Sequence, residues 1–281
     1  MEPVVIFAVL GAAVMHASWN AVIKVGLDKF LSISLMSLFM GAISLVFIPF
    51  VDVPQGVTWI WIIISAALHT GYKLLLIRAY SVGDMGQVYP LARGTAPLIT
   101  AIAAAVLLGE GLSPAMMAGI AVLCAGIWLM SFKGGGAAKE LNPAAIWYAL
   151  ATSVFIGGYT LTDGIGVRSA STVASYAAWM FAIDGFWMVA VCMMVRGAGS
   201  LSVLARQWKT GLLVGALSVG GYWIVMWAMT RAPIAAVAAL RETSVLAALV
   251  ISVLFLKEKI TPWRAGAALS IVAGVVILRV G

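Results

Sequence analysis

The stretch Leu108-Gly-Glu-Gly-Leu-Ser-Pro114 has a second copy near the end of the chain, Leu256-Lys-Glu-Lys-Ile-Thr-Pro262. The copies are 148 residues apart, and the same ungapped offset aligns identical residues on both sides of them. The identical pairs are Arg93 with Arg241, Thr95 with Thr243, Leu98 with Leu246, Leu108 with Leu256, Glu110 with Glu258, Pro114 with Pro262, Ala125 with Ala273 and Gly126 with Gly274. Shared hydrophobicity does not place a charge and a proline in register, so the pattern predicts an internal repeat.

The beginnings of the two repeats also match, at an offset of 140. The matching pairs are Pro3 with Pro143, Leu10 with Leu150, Val14 with Val154 and Gly26 with Gly166, while Trp19 falls on Tyr159. Between the halves lies a segment that contains Gly134-Gly135-Gly136, a composition typical of a flexible linker. We therefore predict a first repeat over 3–132, a linker over 133–142 and a second repeat over 143–280.

The composition excludes a soluble protein. Of the 281 residues, 63% are hydrophobic and 10% are charged, against roughly 45–50% and about 25% in soluble domains. Too few polar residues are present to cover the surface of a soluble fold, so soluble enzymes and nucleic-acid-binding proteins are excluded. The chain is predicted to be an integral membrane protein, in which the net charge of +7 reflects basic loops on one side of the bilayer.

Apolar runs of about 20 residues, the length that crosses a bilayer as a helix, divide the chain into ten spans. They cover approximately 3–23, 30–50, 58–80, 87–109, 114–132, 143–163, 172–195, 209–230, 234–256 and 262–280. Five spans in each half is an odd number, so the second half enters the membrane from the opposite side. The predicted fold is an all-α membrane protein with ten transmembrane helices as two inverted five-helix repeats, an architecture typical of secondary transporters.

Basic residues are distributed unevenly between the two sets of loops. One set, with its adjoining helix ends, holds eleven: Lys24, Lys29, Arg78, Lys133, Lys139, Arg196, Arg206, Lys209, Lys257, Lys259 and Arg264. The termini and the other loops hold three: Arg168, Arg231 and Arg279. The positive-inside rule predicts that the first set is cytoplasmic and that both termini are external.

Polar side chains inside the spans are candidate functional residues, because burying them in hydrocarbon costs free energy. Helical spacing places many of them on shared faces with aromatic residues. The candidates for a substrate site are His16, Trp19, Asn20, His69, Tyr72, Tyr89, Arg93, Tyr159, Asp163, Trp179, Tyr222, Trp223, Arg241 and Glu242. The alternatives are core packing for the aromatic residues, interhelical hydrogen bonds for His69 and Asn20, and for Lys73, next to Tyr72, a charge that reaches the membrane surface.

Arg93 and Arg241 occupy the same repeat position inside their spans. Glu242 is placed to neutralise Arg241, whereas Arg93 has no adjacent acid and needs a partner on another helix. A guanidinium that faces a cavity suits a carboxylate or a phosphate. The structural alternative is an ion pair of Arg93 with Asp163 or Asp184.

No enzyme, metal-binding or nucleotide-binding signature is found, so we predict no catalytic residues, no cofactor and no use of ATP. A gradient then supplies the energy. Proton coupling requires a buried titratable group, for which the candidates are His16, His69, Asp163, Asp184 and Glu242. Uniport, with these groups permanently paired, is the alternative.

The two repeats resemble the EamA domains of the drug/metabolite transporter superfamily. The resemblance rests on Leu108-Gly109-Glu110 through Pro114 to Gly126 and on its copy, Leu256-Lys257-Glu258 through Pro262 to Gly274. Three strings are similar to one bacterial subgroup: 16–20, 89–95 and 240–244. The resemblance implies a ten-helix carrier of the bacterial inner membrane with a central cavity, in a group that includes YddG-type exporters of aromatic amino acids.

The sequence is compatible with three functions. The first is an exporter of small metabolites, with amino acids, aromatic ones included, as the expected substrates, whose carboxylate meets Arg93 or Arg241. The second is a carrier for cationic drugs or polyamines that uses Asp163, Glu242 and aromatic rings. The third is a membrane enzyme or a non-transport subunit. The expected partners are a small-molecule substrate, the lipid bilayer and, if coupling occurs, protons; the expected state is a monomer or a weak homo-oligomer.

Overall fold

The computed structural model describes residues 1–23, 27–83, 85–133, 142–257 and 260–280. Most of the predicted linker, residues 134–141, lies outside the described residues, as do Lys24, Gly26, Lys139, Glu258 and Lys259. Twelve α-helices are formed by the described part of the chain. They are α1 (Pro3–Ile23), α2 (Lys29–Phe47), α3 (Thr58–Val82), α4 (Met85–Leu108), α5 (Pro114–Lys133), α6 (Pro143–Ser169), α7 (Val173–Arg196), α8 (Ser200–Arg206), α9 (Trp208–Met229), α10 (Ile234–Arg241), α11 (Ser244–Leu256) and α12 (Pro262–Val280).

Nine stretches within the described residues are long and apolar enough to cross a membrane, and Pro114–Met130 is a shorter apolar helix. The all-helical prediction is therefore confirmed. The predicted ninth span over 234–256 is among these nine, as Ile234–Leu254. It is not a continuous helix, because α10 ends before Glu242 and α11 begins after Thr243. The connection that follows α7 also contains the short helix α8, which the apolar pattern did not predict.

The two halves of the chain are interleaved rather than side by side. Helix α3 packs on α6, α2 on α7, α1 on α9 and α5 on α12, so each of these pairs joins one half to the other. The crossing of α2 and α7 is tight, since a Cβ on Gly185 would lie 2.7 Å from the Cα of Gly41. Small residues allow this close approach of helix backbones in membranes. The centre of the molecule is therefore built by both halves.

The duplicated motif has the same local structure in both halves where it is described. Gly109 follows α4 with φ +63°, and its repeat counterpart Lys257 follows α11 with φ +54°. This left-handed conformation is easy for glycine and strained for lysine. The next helix then begins at a proline in each half, at Pro114 and Pro262, where the missing N–H of proline costs no helical hydrogen bond.

Glu110 of the motif connects the first half to the start of α10. Its Oε2 accepts a hydrogen bond of 2.9 Å from the backbone N–H of Ile234, while its Oε1 is paired at 2.8 Å with Nη1 of Arg168. Arg168 also donates to the carbonyls of Met229 and Ala232. A carboxylate at a helix N-terminus satisfies a free N–H and complements the helix dipole. This contact fixes where α10 enters the protein.

Candidate functional site

A cavity lies where the interleaved helices meet, and helices of both halves line it. Its polar lining consists of His16, His69, Tyr72, Lys73, Arg93, Tyr159, Ser218, Tyr222 and Arg241. Its apolar lining consists of Ala12, Trp19, Met36, Met40, Phe181, Leu217, Gly221 and Val225. Three of the described lining residues are basic side chains with ordinarily permanent charges, and none is acidic. The side chains that line the cavity are therefore basic and aromatic.

Arg93, Arg241 and Glu242 form a buried group at this cavity, which we call the arginine cluster. Glu242 is fully buried and both arginines are 4% exposed. Oε2 of Glu242 lies 2.7 Å from Nε of Arg93, and its Oε1 lies 3.7 Å from Nε of Arg241. The two repeat-related arginines thus share one carboxylate. The alternative in which Arg93 pairs with Asp163 or Asp184 is wrong, since its acidic partner is Glu242.

The interruption between α10 and α11 places Glu242 in the arginine cluster. The N–H of Glu242 bonds to the carbonyl of Ala239 at 3.0 Å, and the N–H of Thr243 to that of Leu240 at 3.1 Å. These bonds skip three residues instead of four, so the chain makes a 3₁₀ turn that shifts the direction of the side chain. Short 3₁₀ segments inside longer helices often mark functional hinges.

Aromatic rings surround the two guanidinium groups. Cζ of Arg241 lies 5.8 Å from the ring centre of Tyr159 and 5.6 Å from that of Tyr222. Cζ of Arg93 lies 6.0 Å from the ring of Tyr89, whose hydroxyl is 3.1 Å from Nε2 of His16. Rings at about 6 Å stabilise a cation through their quadrupole. The aromatic faces therefore hold the positive charges next to the cavity.

Asp163 is the second buried acid, and it is fully enclosed by donors from three other helices. Its Oδ1 accepts from the hydroxyl of Tyr176 at 2.9 Å and from the hydroxyl of Ser65. Its Oδ2 accepts from the hydroxyl of Tyr222 at 2.5 Å and is 3.0 Å from Nε2 of His69. With four partners, this carboxylate connects α3, α6, α7 and α9 behind the cavity wall.

His69 connects Asp163 to the cavity. Its ring stacks on Tyr159 with 3.9 Å between ring centres and an interplanar angle of 23°. Tyr72 and Tyr222 approach the same ring edge-on at 5.8 Å and 5.4 Å. Edge-on and stacked arrangements of this kind add to the free energy of packing. The aromatic wall of the cavity is therefore fixed in place by the hydrogen bonds of Asp163.

Asp184 is paired with Lys73, which lines the cavity. Nζ of Lys73 lies 2.5 Å from Oδ2 of Asp184 and donates to Oγ of Ser37 at 2.9 Å. Thr70 donates to the other carboxylate oxygen at 3.4 Å. Both charged side chains are at most 2% exposed. This pair joins α2, α3 and α7, so the alternative in which Lys73 reaches the membrane surface is wrong.

The cavity brings together eight of the fourteen predicted site residues: His16, Trp19, His69, Tyr72, Arg93, Tyr159, Tyr222 and Arg241. Three others, Tyr89, Asp163 and Glu242, contact lining residues from behind. The remaining three are not brought to the cavity. Asn20 donates to the carbonyl of His16 on its own helix, Trp179 packs on Trp59, and Trp223 packs on Phe47.

Sequence reasoning missed several lining residues and two partners of Asp163. Lys73 lies four residues after His69 on one helix face, so its spacing did contain a usable signal. Met36, Met40, Phe181 and Ser218 look like ordinary residues of apolar helices, and Ser65 and Tyr176 carry no motif. Only the packing of helices shows that these side chains meet the site.

The chain is similar to known proteins over nearly its whole length. The EamA-like transporter family matches residues 3–132 and 143–280. A solved structure described in the words "Crystal structure of protein" is similar, with a TM-score of 0.79 and 16% sequence identity, over 100% of this chain and 98% of the other. At that identity the likeness shows the fold alone. No curated protein matches this sequence.

Proposed function

Since the chain belongs to the EamA-like transporter family and is a multi-pass membrane transporter of small molecules, we propose that it carries amino acids, aromatic ones among them. The observation that supports this proposal is the arginine cluster at the cavity, in which two guanidinium groups share one carboxylate. The described lining contains no acidic residue, and its third basic residue, Lys73, is paired with Asp184. A carboxylate is the group that such a site attracts and a guanidinium grips with two hydrogen bonds.

The arrangement of the acids does not favour a carrier of cationic drugs or polyamines. Asp163 already accepts from four donors, and Glu242 is enclosed between two arginines. Neither lines the cavity. A cationic substrate would meet guanidinium groups before it met a carboxylate, and like charges at close range in a poorly solvated site repel strongly.

The apolar part of the lining suits the side chain of such a substrate. Trp19 and Phe181 supply aromatic surface, and Met36 and Met40 supply flexible side chains that adapt to different shapes. A site with a few polar anchors and a largely apolar remainder is typical of small-molecule recognition. This supports amino acids with apolar or aromatic side chains as the substrate class.

For the mechanism, we propose alternating access between two inverted repeats, 3–132 and 143–280, joined by the linker 133–142. The shared left-handed turns at Gly109 and Lys257 support the repeat relation. The meeting of Arg93 and Arg241 at one cavity supports a site on the repeat interface, where transporters of this architecture bind their substrates.

For the direction, we propose export across the bacterial inner membrane, with both termini external as the basic loops predict. A C-terminal alkaline phosphatase fusion is then active, and a C-terminal green fluorescent protein fusion is dark. A bright fluorescent fusion would contradict the external termini.

The experiment that tests the function is counterflow of labelled amino acids in proteoliposomes. L-Phenylalanine is compared with 2-phenylethylamine, which lacks the carboxylate, and with 3-phenylpropanoate, which retains it. We expect both carboxylates to compete for uptake and the amine not to compete. Competition by the amine alone would favour the cation carrier, and no uptake of any labelled amino acid would contradict the proposed substrate class. An imposed pH gradient in the same vesicles separates proton coupling from uniport.

A further inference from the structure

The arginine cluster has an unbalanced charge. Two guanidinium groups, on Arg93 and Arg241, share the single carboxylate of Glu242, and all three side chains are at most 5% exposed. The cluster therefore carries one net positive charge in a poorly solvated site. Buried charges are stable only when each has a partner of opposite charge and aligned hydrogen bonds. One further carboxylate would give each guanidinium a partner of its own.

The contact between Arg93 and Glu242 is close but poorly aligned. The distance from Nε to Oε2 is 2.7 Å, yet the N–H does not point at the oxygen, so Nε makes no aligned hydrogen bond within the described ranges of the chain. Nη2 of Arg93 is buried and has no hydrogen-bond partner among the described residues. Nε and Nη2 form the edge of the guanidinium that binds a carboxylate through two parallel hydrogen bonds. Glu242 thus occupies this edge without filling it.

The carboxylate of Glu242 also lies near a second guanidinium group, that of Arg241. Its Oε1 is 3.7 Å from Nε of Arg241, and that N–H also lacks an aligned partner within the described chain. The side chain is carried by the 3₁₀ turn between α10 and α11, where the regular helical ladder is interrupted. The two oxygens of the carboxylate thus already face the two arginines, so a shift toward Arg241 needs only a short movement of the side chain.

From this geometry we propose that Glu242 is an internal carboxylate that occupies Arg93 in the empty carrier and that the substrate carboxylate displaces toward Arg241. The proposal rests on the proposed carriage of carboxylate substrates and adds a specificity residue to it. The occupied state has two guanidinium groups and two carboxylates. A substrate without a carboxylate cannot displace Glu242, so the same exchange rejects amines.

The exchange also assists release. While substrate is bound, Glu242 remains within reach of Arg93 and competes for it, which prevents the buried pair from holding the substrate too tightly. Removal of the competing charge is therefore expected to tighten binding and slow turnover together. A merely structural Glu242 predicts the opposite for affinity, because the arginines would lose their orientation.

The test uses the full chain in detergent and in liposomes, with 3-phenylpropanoate and L-phenylalanine as probes. For Glu242→Gln we expect affinity for both probes to rise roughly tenfold, within the usual range of coupling between sites, while KM and the maximal counterflow rate both fall. Glu242→Asp, whose shorter side chain retracts from Arg93, gives a smaller change in the same direction and serves if Glu242→Gln folds poorly. Asp28→Asn is the matched control, because it neutralises an acid that is paired with Arg196 away from the cavity, and it is expected to leave affinity unchanged.

The possible results distinguish a failure of the internal carboxylate from a failure of the proposed carriage of carboxylate substrates. If the unmodified protein binds both carboxylates and both Glu242 variants bind them equally well or more weakly, the internal carboxylate is overturned and the carboxylate carrier stands. If the unmodified protein binds neither probe nor any other amino acid, the proposed function itself fails. Tighter binding of 2-phenylethylamine by Glu242→Gln would also overturn the exchange, because removal of a competitor for Arg93 gives no advantage to an amine.

Discussion

Two of the buried acids next to the cavity, Asp163 and Glu242, have opposite surroundings. Asp163 accepts from four side chains on neighbouring helices. Glu242 lies between two guanidinium groups, and neither of its oxygens accepts an aligned hydrogen bond from the residues that the structure describes. Both are fully buried, so exposure does not explain the difference. A saturated polar group stabilises one structure, whereas an unsaturated group beside a cavity is poised for a ligand.

The difference in hydrogen bonding indicates different roles for Asp163 and for the arginine cluster. The hydrogen bonds of Asp163 hold His69 and Tyr222 in the cavity wall, so its contribution is to folding and to the shape of the site. The arginine cluster has N–H donors without an aligned acceptor among the described residues, so we expect it to contribute to substrate binding. Substitutions in the first region are expected to change stability, and those in the second to change affinity.

The largest effect is expected at Asp163. Asp163→Asn removes the charge and replaces one acceptor oxygen with a donor, so buried donors on α3, α7 and α9 lose their partner. We expect a loss of about 3–5 kcal/mol in the free energy of unfolding, as for a buried polar group stripped of its partner. Thermal or detergent-induced unfolding measures it.

The matched control lies on the same helix. Thr160 is fully buried, and its hydroxyl has no hydrogen-bond partner among the described residues. Thr160→Val removes that hydroxyl at nearly constant volume and is expected to leave stability unchanged or slightly raised. If the Asp163→Asn protein is as stable as the Thr160→Val protein, the hydrogen bonds of Asp163 do not stabilise the fold.

The next effect is expected at Arg93. Lysine keeps the charge but lacks the planar fork, so Arg93→Lys folds and loses about 2–5 kcal/mol of carboxylate binding. Arg241→Lys is expected to lose less, because Arg241 lies farther from Glu242 and its contacts with the rings of Tyr159 and Tyr222 are available to an ammonium group. Equilibrium binding of 3-phenylpropanoate compares the two. Equal small losses, with lowered thermal stability of an Arg93→Ala protein that binds fully, would favour a structural role for Arg93.

A smaller effect is expected beside Arg93, at the repeat counterpart of Glu242. A Cβ on Gly94 would lie 2.8 Å from Cδ1 of Trp128, whose Nε1 donates to Thr95 at 3.2 Å. Gly94→Ala therefore displaces α5 or breaks this bond, at a cost of about 1–3 kcal/mol in stability. Gly11→Ala is the control, since no atom of the described part of the chain lies within 4 Å of a Cβ there. Equal melting temperatures for the two variants would show that α5 does not depend on close packing at this point.

The sequence was sufficient to predict the helices, the repeat and the convergence of the polar faces. Apolar run lengths predict spans directly, and the offset of 148 pairs Arg93 with Arg241 without any structure. The break at Glu242 was not predicted, because it contains neither glycine nor proline, while α4 continues through Pro90 and Pro97. At the break, Glu242 lies against Arg93 of α4, a contact between helices that the local sequence does not encode.

The sequence also did not predict which side chains of the site contact one another. Helical spacing shows which residues share a face, but in a helix that is apolar all round it does not show whether that face meets the cavity. Trp179 and Trp223 were predicted on this basis and lie elsewhere. In the same way, the partner of Arg93 depends on how α10 packs against α4, which no local pattern encodes.

The central claim is that the arginine cluster receives the carboxylate of the substrate. Its most direct test is an experimental structure of the protein with the amino acid that competes best in counterflow. We predict that the substrate carboxylate lies on the Nε–Nη2 edge of Arg93, within hydrogen-bond distance of both nitrogens, with Glu242 shifted to Arg241. A substrate bound with its carboxylate away from both arginines, and Glu242 still against Arg93, would contradict the account.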